Sequence, residues 1–153
     1  MIPKAIKDLE KRLQKSLNPN EIMKHLFQQT SFRKLIIDLN TEEQLYNQGI
    51  DSKGRSLGDY SIYTRGLKQN KGQRYDHITL KDTGEFYRSF SIRLEGSSFR
   101  IVADGQKEDT NLFKEYGIDI LGLTEDSMSV VITAAIPIIQ KYIKSNLWSI
   151  TNQ

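Results

Sequence analysis

Apolar residues in the first third of the chain recur at helical spacing between lysines and glutamates. The first group consists of Ile2, Ile6, Leu9, Leu13 and Leu17. This spacing predicts an amphipathic helix that ends near Asn18-Pro19. A second helical pattern begins at Asn20, which we interpret as an N-cap, and continues to Gly49. Residues 1–48 are therefore predicted to be helical.

The pattern changes in residues 49–76, which have no sustained period. This segment contains five glycines and six Lys or Arg residues, with tyrosines between them. Such a composition is typical of a long ordered loop or a mobile arm. We therefore predict a mobile, basic, glycine-rich loop over 49–76.

The period becomes two in the next part of the chain. Phe86, Phe90, Ile92 and Leu94 alternate with polar residues and Tyr87, a Gly-Ser-Ser turn follows at 96–98, and alternation resumes at Phe99, Ile101 and Ala103. This pattern predicts a β-hairpin near 85–104 with one buried face.

A wide apolar stripe returns at helical spacing near the C-terminus. Thr124 precedes the stripe and is the expected N-cap, and Pro137 lies inside it and should kink the helix. The prediction is one α+β domain over 1–153, in which a small antiparallel sheet and a kinked C-terminal helix (77–147) follow the N-terminal helices and the loop.

Composition narrows the classes of function. A chain of 153 residues fits one compact domain, and the absence of cysteine excludes disulfides, thiolate metal sites and cysteine nucleophiles. The first residues lack the apolar core of a signal peptide, and the longest apolar run, 130–139, is short for a membrane span. We expect a protein that acts without a membrane, cofactor or metal.

Asp82-Thr83-Gly84 spells the loop signature of an aspartic protease, in which two such loops bring two carboxylates together. A dimer of this chain would supply the second loop, and Ile120-Leu121-Gly122 resembles the downstream segment of the single-domain retroviral type. Against this, Lys81 and Glu85 flank the motif, and the interval to Ile120 is short for the strands and flap of that fold. A turn that launches the hairpin is the favoured interpretation, and a dimeric protease using Asp82 stays as an alternative.

Two other candidates, one for a catalytic pair and one for a metal site, are weaker. Asp76 and His77 are neighbours, but adjacent residues in an extended segment point to opposite sides, so an acid-base pair is not expected. The acidic residues between 104 and 109 lack the spacing of a calcium loop.

The cations of the loop are candidates for contact with a phosphate backbone. The net charge is +3 and the isoelectric point is near 9.0, which permits contact with a nucleic acid without requiring it. The candidates for an assembly or DNA-facing surface are Lys53, Arg55, Arg65, Lys68, Lys71 and Arg74. A nucleic-acid-binding accessory protein is therefore a second alternative, and a solvated loop accounts for the same residues.

The order of four segments resembles a known family. They are "QGIDSKGRSLGDYSIYTRGLKQNKG", "ITLKDTGEFYRSFSI", "LFKEYG" and "ILGLTEDSMSVVITAAIPIIQKYI", over about residues 40–147. This order is similar to that of the phage virion-morphogenesis proteins, which include tail-completion and head-tail connector (neck) proteins. The residues that match the motifs include Gly54, Thr83, Gly84, Phe86, Ser89, Gly117 and Gly122.

The resemblance implies a structural protein of a phage or prophage rather than an enzyme. Members of that family act at the neck or the tail end, usually as one subunit of a ring. The implied partners are other neck or tail proteins and further copies of the chain, and non-specific DNA contact by the loop is a further expectation. The implied location is the virion, assembled in the host cytoplasm.

Overall fold

Three helices form the N-terminal part of the structure, a computed structural model that describes residues 3–151. They are α1 (Lys4–Ser16), α2 (Pro19–Gln28) and α3 (Thr30–Asp38). The predicted cap of the second helix was wrong by two residues. Oδ1 of Asn18 accepts from the backbone N–H of Asn20 at 2.9 Å, so Asn18 is the N-cap and Pro19 occupies the first helical position. Ile2 of the predicted stripe lies outside the described residues.

A π-helix, Leu39–Gln48, continues directly from α3. Such wide turns are rare and often occur at functional positions in helices. The π-helix ends at Gly49, which has φ of 65° and confirms the predicted end of the helical third.

The segment 49–76 contains a helix that the sequence pattern did not predict. This helix, α4 (Ile62–Asn70), begins after Ser61, whose Oγ accepts from the backbone N–H of Thr64 at 3.2 Å. The mobility of the segment in the free chain stays a prediction, but it is not a structureless loop.

The hairpin is confirmed over a shorter range than predicted, but its predicted buried face is only partly buried, since Ile101 is buried and Leu94 is exposed. Strands β1 (Ser91–Glu95) and β2 (Ser98–Val102) pair antiparallel, with Ile92 opposite Ile101. Residues before 91 do not belong to the strand, since they form the short helix α5 (Glu85–Arg88). Tyr87, expected on the exposed face of a strand, is instead buried beside Phe86.

The chain then forms α6 (Leu112–Tyr116), a 3₁₀ turn (Ile118–Ile120) and the long helix α7 (Glu125–Thr151). The predicted cap of α7 is confirmed, because Oγ1 of Thr124 accepts from the backbone N–H of Ser127 at 3.2 Å. Helix α7 is bent by 40°, as the internal Pro137 predicts.

One hydrophobic core joins these elements. Helix α7 packs against α1, α2 and α3, and the buried side chains include Ile36, Leu45, Phe86, Ile101 and Ile120. The α+β class is therefore confirmed, with helices predominating over a two-stranded sheet.

By length and composition, one helical stretch of the described chain, Ile118–Trp148, is also apolar enough to cross a membrane. Only 17% of its most apolar window is buried in the domain. A helix that lines the core of a globular domain passes the same test.

Candidate functional site

Two buried amide side chains connect the π-helix to the backbone before α7. Nδ2 of Asn40 donates to the carbonyl of Ile120 at 3.0 Å, and Oδ1 of Asn40 accepts from the N–H of Gly122 at 2.8 Å. Gln44 repeats this arrangement, with Nε2 donating to the carbonyl of Gly122 at 2.9 Å and Oε1 accepting from the N–H of Thr124 at 2.9 Å. We call Asn40, Gln44 and residues 120–124 the amide clamp.

The two amide side chains of the clamp are fully buried, and each bonds through both its oxygen and its nitrogen. Both amide side chains have 0% exposure, and the described residues contain no buried side-chain N or O atom without a partner. Both amides use a donor and an acceptor, so the geometry resembles the pairing of a strand with its neighbour. The clamp fixes the start of α7, and sequence reasoning missed it because its partners are about 80 residues apart.

A second network holds the start of the 49–76 segment. Asp51 is buried, and its Oδ1 accepts from the backbone N–H groups of Lys53 and Arg55, each at 2.9 Å. The guanidinium of Arg55 bridges Asp51 at 2.7 Å and Asp119 at 2.8 Å. Nζ of Lys53 also lies 2.8 Å from Asp119, and its hydrogen bond is the largest cause that lowers the pKa of Asp119 below its ordinary value. Two of the six predicted cations therefore tie this segment to the 3₁₀ turn.

Lys68, a third predicted cation, is turned inward from α4. Its side chain is buried, its Nζ donates to the carbonyl of Lys81 at 3.0 Å, and it lies 4.9 Å from the centre of the Tyr60 ring. The backbone N–H of Thr79 donates to the hydroxyl of Tyr60 at 3.0 Å, and the hydroxyl of Tyr87 donates to the carbonyl of Thr79 at 2.5 Å. Burial raises the pKa of Tyr87 well above its ordinary value. Lys68 therefore anchors the inner side of α4.

The other three predicted cations form exposed ion pairs within the chain. Arg65 lies 3.7 Å from Asp59, and Lys71 lies 3.8 Å from Asp82. Arg74 donates to Asp76 at 2.8 Å, which lowers the pKa of Asp76 to about 2. The structure thus does not gather the six cations into one open basic surface.

Asp82-Thr83-Gly84 forms a turn in front of α5. Gly84 has φ of 83° and precedes the first residue of the helix, and Oγ1 of Thr83 accepts from the N–H of Glu85 at 3.4 Å. Asp82 is half exposed beside Lys71, and a helix rather than a hydrophobic strand follows it. The geometry is that of a turn, as predicted, but the turn starts α5 and does not launch the hairpin directly.

The pair of Asp76 and His77 differs from the expectation. The two side chains were expected to point apart, but Nδ1 of His77 lies 3.2 Å from Oδ2 of Asp76, because this segment bends rather than continuing as a strand. Nε2 of His77 donates to the carbonyl of Tyr46 at 2.8 Å, and Arg74 also holds Asp76. The bond from Nε2 to the carbonyl of Tyr46 holds the segment against the π-helix.

The residues matching the family motifs occupy turns and core positions. Gly54, Gly117 and Gly122 have positive φ, and Phe86 is buried among aromatic rings. Oγ of Ser89 donates to the carbonyl of Phe86 at 2.6 Å and accepts from the N–H of Asp104 at 2.9 Å, so it joins α5 to the end of the hairpin. These residues fix turns of the backbone and connections between elements.

A concave feature with a volume of about 970 Å³ lies between α3, the π-helix and the start of α7. We call it the acidic groove, because its lining includes the carboxylates of Asp38, Glu42, Glu43, Glu125 and Asp126. Among the described residues, no group of three or more His, Cys, Asp or Glu side chains is arranged to hold a metal ion.

Large apolar side chains remain exposed on several elements. On α4 they are Ile62, Tyr63 and Leu67, and on α7 they are Val130, Ile132, Ile136 and Trp148. Exposed apolar surface of this kind is typical of proteins that bind other macromolecules.

Comparisons with known proteins give no relative. No family model matches the chain, and no curated protein or solved structure is significantly similar to it.

Proposed function

We propose that this chain is a structural protein of a phage or prophage, a subunit that assembles with copies of itself at the neck or the tail end. The order of the four motifs over about residues 40–147 carries this proposal. Each motif is short, so their order rather than any one of them supports the family.

Two features of the structure support a role in assembly. The motif residues Gly84, Ser89, Gly117 and Gly122 hold turns and connections between elements, as expected of residues that preserve a scaffold. Apolar side chains on α4 and α7 remain exposed and are available for subunit contacts.

The alternatives receive less support from the geometry. Asp82 lies in an exposed turn beside Lys71, whereas a protease dyad needs a carboxylate held between hydrophobic strands. Of the six candidate cations, Lys68 is buried and Lys53 and Arg55 are both held by Asp119, so only Arg65, Lys71 and Arg74 remain in exposed pairs that a phosphate backbone would exchange.

The test is to purify the particles made by the phage or prophage that encodes this gene and to measure the copy number of the chain by quantitative mass spectrometry. We expect a small, fixed number of copies per particle. In a strain that lacks the gene, electron microscopy should show heads and tails that are not joined, or tails that are unfinished. A chain absent from particles, with normal particles formed by the deletion strain, would contradict the proposal.

Asp82→Asn separates the protease alternative from this proposal. The variant should complement the deletion as well as the natural chain does, because Asp82 makes only an exposed ion pair. Loss of an acid-dependent proteolytic activity in the variant would instead favour the protease.

A further inference from the structure

Helix α4 has an apolar face that remains largely exposed in the described chain. Ile62 is 91% exposed, Tyr63 is 76% exposed and Leu67 is 43% exposed. The opposite side of the helix is anchored by the buried Lys68, so the direction of the apolar face is fixed.

Gly66 lies in the middle of this apolar face. Glycine is unfavourable inside a helix, and here the folded monomer gives no reason for it. Gly66 lacks a positive φ, and a Cβ at this position would meet no atom within 4 Å. Each of the other nine glycines has a positive φ or, at Gly105, a close side chain. A glycine flanked by Ile62, Tyr63 and Leu67 allows another surface to approach the helix backbone closely.

The acidic groove also presents apolar side chains to an incoming helix. Its apolar side chains are Leu35, Leu39, Ile50 and Val130. An amphipathic helix in an apolar groove is a recurring mode of recognition.

The charges of the groove and of α4 are complementary. Five carboxylates and one lysine line the groove, and among the described residues no lysine or arginine lies within 4 Å of Glu43, Glu125 or Asp126. Helix α4 contains Arg65 and no acidic residue, and Lys71 follows it. These two cations are held only in long, exposed ion pairs, which are weak and can be exchanged.

We propose that the apolar face of α4 in one copy docks into the acidic groove of the next copy. The two surfaces differ, so the contact is head-to-tail, and repeating it forms a ring if the rotation closes. This inference deepens the proposed function and rests on it, since it names the surfaces by which the subunits associate.

The absence of cysteine from the chain allows a direct test by cross-linking. Ile62→Cys places a thiol on α4, and Val130→Cys places one in the groove. The two full-length variants, one with a mass tag, are mixed and treated with a short bis-maleimide in solution and in particles. We expect a tagged-untagged heterodimer from the mixture and little dimer from either variant alone.

Leu17→Cys is the matched control, because Leu17 is also an exposed apolar residue but lies outside both surfaces. Mixing it with either variant should give no specific product. A homodimer of Ile62→Cys alone would indicate a two-fold contact through α4 and overturn the proposal. The absence of the heterodimer both in solution and in particles would also overturn it.

A second variant tests the docking without cysteine. Gly66→Ala should raise the melting temperature by about 2–4 °C, because alanine favours the helix. The added methyl group should weaken self-association by roughly tenfold or more, because it prevents close approach. A variant that is more stable and associates as well as the natural chain would count against the contact.

The two proposals fail in different ways. Particles that contain the chain, with no Ile62–Val130 cross-link either in them or in solution, would refute this contact and leave the proposed function standing. A specific cross-link in a chain that is absent from particles would refute the virion assignment and retain the self-association surface.

Discussion

Asn40 and Gln44 lie four residues apart on the π-helix and bind consecutive peptide groups of the same segment. Asn40 bonds the carbonyl of Ile120 and the N–H of Gly122, and Gln44 bonds the carbonyl of Gly122 and the N–H of Thr124. The two side chains thus make the hydrogen bonds that a neighbouring strand would make in a sheet. They provide the buried polar groups before α7 with partners that no regular element supplies.

The amide clamp predicts a large loss of stability on truncation. Asn40→Ala leaves the buried carbonyl of Ile120 and the part-buried N–H of Gly122 without these partners, so the free energy of unfolding should fall by roughly 2–4 kcal/mol. Urea unfolding followed by circular dichroism measures this loss.

Gln48→Ala is the control for the clamp, because Gln48 lies on the same helix but is exposed and bonds only to Glu43. It should change stability by less than about 0.5 kcal/mol. In a double-mutant cycle, Asn40→Ala and Gln44→Ala should be non-additive because they share one segment. Additive, small effects would contradict the role of the clamp.

Gly49 and Gly54 form a matched pair for separating backbone strain from steric conflict. Both have positive φ, at 65° and 73°. A Cβ on Gly49 would lie 2.4 Å from Cδ2 of His77, whereas a Cβ on Gly54 would meet no atom within 4 Å.

Gly54→Ala should therefore cost about 1–2 kcal/mol of stability from strain alone. Gly49→Ala should cost more, because His77 must also move and lose its bond to the carbonyl of Tyr46. Thermal unfolding of the two variants checks this order, and equal losses would show that the contact with His77 is easily relieved.

The buried hydroxyl of Tyr87 predicts that the stability of the protein depends on pH in the alkaline range. Its hydroxyl donates to the carbonyl of Thr79, and burial raises its pKa in the folded state. The protonated hydroxyl therefore stabilises the folded chain fully at pH values below the ordinary tyrosine pKa of about 10. This stabilisation is lost as pH rises above that value, because only the unfolded chain then releases the proton readily.

Tyr87→Phe should lower the free energy of unfolding by about 1–2 kcal/mol at pH 7, since the carbonyl of Thr79 loses its partner. The difference from the natural chain should shrink as pH rises above about 10. Tyr63→Phe is the control, because Tyr63 is exposed and should have little effect at any pH. A constant difference for Tyr87→Phe across alkaline pH would contradict the prediction.

The sequence predicted the elements whose signals are local. The cap at Thr124, the end of the helical third at Gly49 and the kink at Pro137 depend on neighbouring residues, and each is confirmed. The hairpin was predicted from the alternation of its two strands, in which Ile92 and Leu94 lie opposite Ile101 and Phe99.

The misassigned elements have patterns that fit more than one structure. Phe86 and Phe90 are four residues apart, a spacing common to one face of a strand and one face of a helix, so α5 was taken as strand. Helix α4 was missed because its apolar residues face outward and its anchor is Lys68, so it lacks the usual stripe toward the core.

The candidate site could not be derived because its partners are distant in sequence. Asp119 meets Arg55 across 64 positions, and Asn40 meets Ile120 across 80. Composition identified the cations of the 49–76 segment but not the carboxylates that pair with them in the fold.

The ion pairs of Asp119 predict that the attachment of the 49–76 segment to the 3₁₀ turn weakens in acid. The hydrogen bond from Lys53 and the nearby charge of Arg55 lower its folded pKa. The stabilising contribution is therefore present above the ordinary carboxyl pKa of about 4 and is lost as pH falls through the lowered value.

Asp119→Asn should release Lys53, whose ion pair is with Asp119, and loosen Arg55, which Asp51 still holds; both are trypsin sites, so trypsin should cut the variant faster at this segment at pH 8, above all after Lys53. Between about pH 6 and pH 3, the stability of the variant should fall less steeply than that of the natural chain, because one depressed carboxyl pKa is removed. Asp59→Asn is the matched control, since Asp59 holds only a 3.7 Å exposed pair with Arg65. Equal cleavage at Lys53 and Arg55 in all three proteins would show that Asp119 does not hold this segment.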